Sequence, residues 1–191
     1  MRKIYTMAFA LMVLLSVTIS ATALMSKSIT RDNGVSAYGY WSENTDNGYE
    51  YTNLAVMEND KGTDISLYTC KYDNVGNGGC RDGYAFTTDD VFTVDKKLNS
   101  ATLSTVIVDM YDWNTGIKTT VPVQASWKGN GDLSKSNSRS ISKSNDFTFK
   151  FSGSVLYRNA IVTASLDGNA LGNSDFAEID QFKNAFMSIE K

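Results

Sequence analysis

Apolar and polar residues alternate along this chain with a period of two, and one long run sets the pattern. Over 117–127, Ile117, Thr119, Val121, Val123, Ala125 and Trp127 fall on one side, and Lys118, Thr120, Pro122, Gln124 and Ser126 on the other. That pattern belongs to a strand with one buried and one wet face. Pro122 has no N–H to give to a ladder, so this strand lies at a sheet edge or carries a bulge at that point. Its expected partner is 101–111, reached through the turn 112–116.

Shorter strands follow from the turn signals Asn33-Gly34, Asn47-Gly48, Asn77-Gly78-Gly79, Asn130-Gly131 and Asp167-Gly168. A two-residue Asn47-Gly48 turn pairs 35–41 with 49–58. It sets Trp41 opposite Leu54 and Gly39 opposite Val56, and leaves Tyr38 and Tyr40 on the other face with Met57 and Ala55. A third hairpin joins 64–72 to 80–87, and further strands are expected over 91–95, 146–151 and 160–166. In the tail, Phe176, Ile179, Phe182, Phe186 and Ile189 have helix-like spacing, which predicts a helical turn before a last strand near 185–189. No linker divides these elements. The expectation is an all-β chain, one domain over 24–191, folded as a two-sheet antiparallel sandwich. In architecture alone this resembles the immunoglobulin-like sandwiches. The Cys–Trp–Cys spacing of true immunoglobulin domains is missing, because Cys70 and Cys80 are too close to bridge two sheets.

The first residues follow another rule. Arg2 and Lys3 precede an apolar run over 7–15, and Ala21-Thr22-Ala23 makes an A-x-A site, so 1–23 is expected to be an export signal cleaved after Ala23. The run is shorter than the ~20 residues a membrane span needs, and no second apolar span follows. The mature chain is therefore expected outside the cell or at its surface, without a transmembrane segment. In that oxidising setting Cys70 and Cys80 are expected to form a structural disulfide across the turn-rich segment 71–79.

Composition then removes whole classes of chemistry. There is no histidine, which excludes Ser-His-Asp and Cys-His catalysis and His-ligated metals. Two cysteines are too few for a thiolate zinc site. The net charge is −3, and loss of 1–23 takes away two cations and no carboxylate, so nucleic acid is not an expected partner. Sixteen of the 21 carboxylates are Asp. The loop 43–47 and the pair Asp89-Asp90 could collect oxygen ligands for calcium, but neither fits an EF-hand, and no cofactor is assigned. The enzymatic alternative is a small secreted hydrolase with paired carboxylates. Asp109, between Val108 and Met110, is the one carboxylate in an apolar strand, with Arg158 as its expected partner.

Two features point instead to binding. Over 134–145 every even position is serine, while the odd positions include Lys135, Arg139 and Lys143. An extended strand would carry hydroxyls on one face and three cations on the other, ~13 Å apart. That suits an anionic surface or polysaccharide, and equally a solvated edge strand. Tyr38 and Tyr40, among Trp41, Tyr49 and Tyr51, could offer flat rings to sugars. The functional expectation is a noncatalytic exported protein with a binding or structural role, its first partner an envelope or extracellular polysaccharide.

Overall fold

The computed structural model describes residues 26–190; the expected export segment 1–23 and Lys191 lie outside them. Eleven strands follow one another: β1 (Lys27–Thr45), β2 (Gly48–Asn59), β3 (Gly62–Asp73), β4 (Gly78–Thr87), β5 (Phe92–Val94), β6 (Ser100–Asp112), β7 (Lys118–Gly129), β8 (Ser134–Lys143), β9 (Phe147–Leu166), β10 (Asn169–Ala170) and β11 (Phe176–Glu190). No helix occurs among the described residues. Every strand pairing is antiparallel.

The strands belong to one sheet, and that sheet closes. In place of the two separate sheets of the expected sandwich, the order β1-β2-β3-β4-β6-β7-β9-β11 returns to β1 as a ring. The closing step is the ladder from Val123↔Leu166 to Gly129↔Ala160 between β7 and β9. Closure satisfies the backbone groups that two open sheets would leave along their edges. Pro122 fits this arrangement. The β7–β9 ladder starts one residue later, and Pro122 contributes only its carbonyl, which accepts the Asp167 N–H at 2.9 Å. β7 is therefore not the edge strand or the bulged strand that Pro122 suggests: it is paired on both sides beyond that residue, and the register shift lies in β6, between Leu103 and Val106, across from Gln124.

The inward side chains fill the ring. Val56, Leu54, Ile65, Leu67, Val108, Val123, Ala125, Trp127, Val162 and Ile179 are all buried. Each Val, Leu or Ile so buried contributes roughly 1.5–3 kcal/mol. Trp127 packs edge-on against Phe92 at 6.2 Å and crosses the interior to donate its indole N–H to the Tyr38 carbonyl at 2.9 Å. Trp41 donates to the Gly172 carbonyl, 3.1 Å away, and ties down the loop before β11. Gly39 makes room for that indole: a Cβ there would stand 2.5 Å from its ring.

Four expectations change. The β1–β2 hairpin turns on Asp46 and Asn47, so Trp41 pairs with Thr52 and Gly39 with Leu54, a slip of two residues. Gly48 is a strand residue there, because a Cβ would lie 1.8 Å from the Tyr72 carbonyl of β3. A slip of two preserves the faces, so Trp41 still points inward and Tyr38 and Tyr40 outward. Segments 146–151 and 160–166 are two ends of one strand, β9, rather than two strands. The tail is strand throughout, held between β1 and β9 by ladders along most of its length. Finally, Asp109 is exposed on the outside, level with Tyr84 and Thr120, and Ile107 beside it is 56% exposed. Arg158 donates instead to Asn99 at 2.6 Å.

Cys70 and Cys80 face each other in the β3–β4 ladder and are disulfide-bonded, with their Cα atoms 4.1 Å apart. Closing so short a loop should stabilise the fold by about 3 kcal/mol through the unfolded chain. Peptide mapping without reductant should recover the cross-link, and C70A/C80A should lower unfolding stability by that order. Two freely alkylatable thiols in the native protein would contradict the pairing.

Candidate functional site

Three strands of the ring, β1, β9 and β11, continue past it and are joined there by β8. β1 has no β2 partner before Gly34. Its first residues pair with the end of β11, which pairs with the start of β9, which pairs with β8. The result is a four-stranded flap in the order β8-β9-β11-β1. Because side chains alternate along each strand, one flap face continues the interior of the ring and the other continues its outside.

The interior-side face is cationic. Its cross-strand rows read Lys27–Ile189–Thr148–Lys143, then Ile29–Met187–Lys150–Ile141, then Arg31–Ala185–Ser152–Arg139, then Asn33–Lys183–Ser154–Asn137, and last Val35–Gln181–Leu156–Lys135. Seven of the chain's 18 Lys and Arg stand on these five rows, and no carboxylate does. The nearest in register is Glu58 of β2, across from Val35. Burial, and then the charge of Asp90, raise the Glu58 carboxyl above the usual carboxylate range. Among the described residues none of the seven cations forms an ion pair. Arg31, Arg139 and Lys183 line an open groove of about 500 Å³ with Ser152, Ser154 and Ala185.

Lys135, Arg139 and Lys143 thus lie on a strand, exposed, on the face away from the serines, as the alternation requires. The structure adds four cations that the sequence reading missed: Lys27, Arg31, Lys150 and Lys183. Lys27 and Arg31 carry the same four-residue spacing as the β8 cations. Only the register shows that they meet β8 across β11 and β9. The other flap face holds a phenylalanine cluster, with Phe151 and Phe186 5.0 Å apart and Phe149 and Phe186 6.2 Å apart. The serines flank it, Ser140 opposite Phe151 and Ser142 opposite Phe149.

Tyr38 and Tyr40 sit elsewhere, on the outer wall of the ring. Tyr40, Tyr49, Tyr51 and Tyr68 form a half-buried belt with neighbouring rings 5.8–6.4 Å apart and tilted. Tyr38 packs on Phe176 and donates its hydroxyl to Asn53. The Tyr40 and Tyr49 hydroxyls are 3.0 Å apart. Burial and a hydrogen bond with Tyr68 push the Tyr51 phenol up to about 12, so it stays neutral. The structure does not bring Tyr38 or Tyr40 to the cationic face.

The loops considered for calcium are separate. Glu43 faces Glu50, whose carboxylate pairs with Lys71, and Asp89 and Asp90 follow β4. Among the described residues no three carboxylates or thiols gather as a metal site. Two carboxylates do meet, however, on the outer side of β11. The Asp180 carboxyl donates a hydrogen bond to Glu178, and its Oδ2 accepts from Ser36 at 3.4 Å. Burial, then the Glu178 charge, push Asp180 up to about 8. Residues two apart share a face only in a strand, so the helical reading of the tail hid this pair.

No known protein family matches the chain, and no curated protein or solved structure is significantly similar to it.

The Asp180 carboxyl generates a pH prediction. In the folded protein it holds its proton well above the range in which the unfolded chain releases it. Unfolding between about pH 4 and pH 8 therefore releases a proton, and stability falls as pH rises through that window. In thermal melts from pH 5 to pH 8, Asp180→Asn should flatten this decline. An unchanged slope would show that the carboxyl is ionised in the native state.

Proposed function

We propose that this protein is an exported, noncatalytic binding protein that holds an acidic polysaccharide of the cell envelope or extracellular matrix on the cationic face of its flap. One observation carries the reading: seven cations share a single face without a carboxylate, in a chain whose net charge is −3. Solubility does not call for such segregation. Like charges gathered on a sheet repel one another, and an anionic polymer relieves that repulsion while releasing its own counterions.

The groove chemistry supports a sugar polymer as the carrier of the charge. Asn33, Asn137, Ser152 and Ser154 stand between the cations and offer donors and acceptors to hydroxyl groups. A nucleic acid is disfavoured by the acidic remainder of the molecule. The basic, apolar, A-x-A character of 1–23 and the Cys70–Cys80 disulfide support export. The noncatalytic reading rests on the carboxylates. Glu178 and Asp180 are in direct contact, whereas glycoside hydrolysis needs carboxyl groups about 5–9.5 Å apart, and Glu50, which faces Glu43, is paired with Lys71; neither pair lines the groove.

The test is retention on immobilised acidic polysaccharide. Replacing Lys135, Arg139 and Lys143 together by Gln should weaken binding about tenfold, at roughly 0.5 kcal/mol for each exposed cation. The salt dependence should flatten and the melting temperature should hardly move. Unfolding of the variant would make these cations structural partners of carboxylates. Unchanged retention would leave β8 a solvated edge strand.

A further inference from the structure

Within the cationic face, one place differs from a carpet of charges. Arg31 of β1 and Arg139 of β8 share a single register row, and only Ala185 and Ser152 stand between them. Three strand-to-strand steps of about 4.8 Å set their Cα atoms about 14 Å apart. Lys183 and Ser154 occupy the next row, and all six residues line the same groove. Ala185 and Ser152 make a low floor, so the two long side chains rise on either side of an open space. Neither guanidinium is engaged by a carboxylate among the described residues.

A guanidinium is a planar fork that grips the two oxygens of a carboxylate or sulfate side by side, whereas an ammonium acts as a point charge. Arginines occupy the two walls of this row, and lysines supply the cations of the rows around it. Resting on the polysaccharide reading above, we propose that Arg31, Arg139 and Lys183 form a discrete subsite that clamps one oxyanion group of the polymer, a carboxylate or a sulfate ester. Ser152 and Ser154 bond the sugar that bears it. The lysines of the other rows then act on neighbouring charged groups through distance-dependent attraction alone.

The experiment is calorimetric titration of the full chain with a galacturonate hexasaccharide, which carries carboxylates, and with a heparin-derived hexasaccharide, which adds sulfates. R31K/R139K keeps every charge and removes both forks; it should weaken the tighter ligand at least tenfold and leave the salt dependence unchanged. A loss in R31K/R139K for both ligands identifies a carboxylate, and a loss for the heparin hexasaccharide alone a sulfate. K27Q/K143Q removes two charges outside the subsite; it should weaken binding less and flatten the salt dependence. A185L raises the floor without touching a charge and should also weaken binding at least tenfold. Full affinity in both R31K/R139K and A185L would overturn the subsite while leaving the face as a diffuse polysaccharide binder. If the unaltered protein binds neither hexasaccharide, the polysaccharide reading falls and the subsite with it.

Discussion

Strand β9 must serve two neighbours along one edge, and the rest of the structure follows from how it does so. From Thr148 to Tyr157 it pairs with β8; from Ala160 to Leu166 it pairs with β7, while β11 runs along its other edge over Phe147–Asn159. The β7 contact closes the ring. The β8 contact builds the flap. Strand alternation is unbroken between the two, so burying Val162 and Ala164 also fixes Lys150, Ser152 and Ser154 on the groove side. A slip of one residue would push Val162 and Ala164 into water and turn Phe149 and Phe151 into the groove. Core packing therefore sets the register of the cationic face, whose last row, with Val35 and Leu156, packs against the core.

That coupling also explains which parts of the fold were legible in the sequence. Segments whose apolar side never changes were readable: the β3–β4 hairpin, β7, and the cation–serine alternation of β8. In β9 the apolar side inverts midway. Phe147, Phe149 and Phe151 lie on one face, and Ala160, Val162 and Ala164 on the other. An inversion looks like two strands with a break, yet the chain runs straight through as the buried side changes. β11 inverts too, with Ile179 inward and Phe182 and Phe186 outward, and the sum of the two patterns imitates a helix. The β1–β2 slip had another origin. Asn47-Gly48 is a strong turn signal, but the glycine was needed against Tyr72 of β3, a contact that local sequence does not contain. In β6 the register shift between Leu103 and Val106 exchanges the faces: Ala101 and Leu103 point inward before it, and beyond it Val108 and Met110 do, which turns Ile107 and Tyr111 outward.

The site was half visible for the same reason. Lys135, Arg139 and Lys143 could be read because they share one strand. The other cations, from β1, β9 and β11, join them only through three ladders between distant segments. The two faces of the flap divide their chemistry, charge and hydroxyls toward the groove and phenylalanine on the reverse. The Glu178–Asp180 pair lies on the reverse side at the junction of flap and ring, Asp180 in the row Ser36–Asp180–Tyr157–Ser134 and Glu178 in the next, between Tyr38 and Asn159. There a buried proton takes the place of a charge.

Closure of the ring by β7 and β9 is what makes the groove side of β9 continuous with the core, and it can be observed directly. In this ladder the N–H of Asp167 bonds the carbonyl of Pro122 and the N–H of Asn130 bonds that of Asn159. Ala125↔Ala164 and Trp127↔Val162 are therefore non-hydrogen-bonded pairs with close Cα atoms. Nuclear Overhauser spectra should show strong Hα–Hα contacts for both pairs, together with slow exchange of the β7 amides that face β9. Missing contacts, with those amides exchanging like an open edge, would contradict closure and remove the basis for placing Lys150 and Ser152 in the groove.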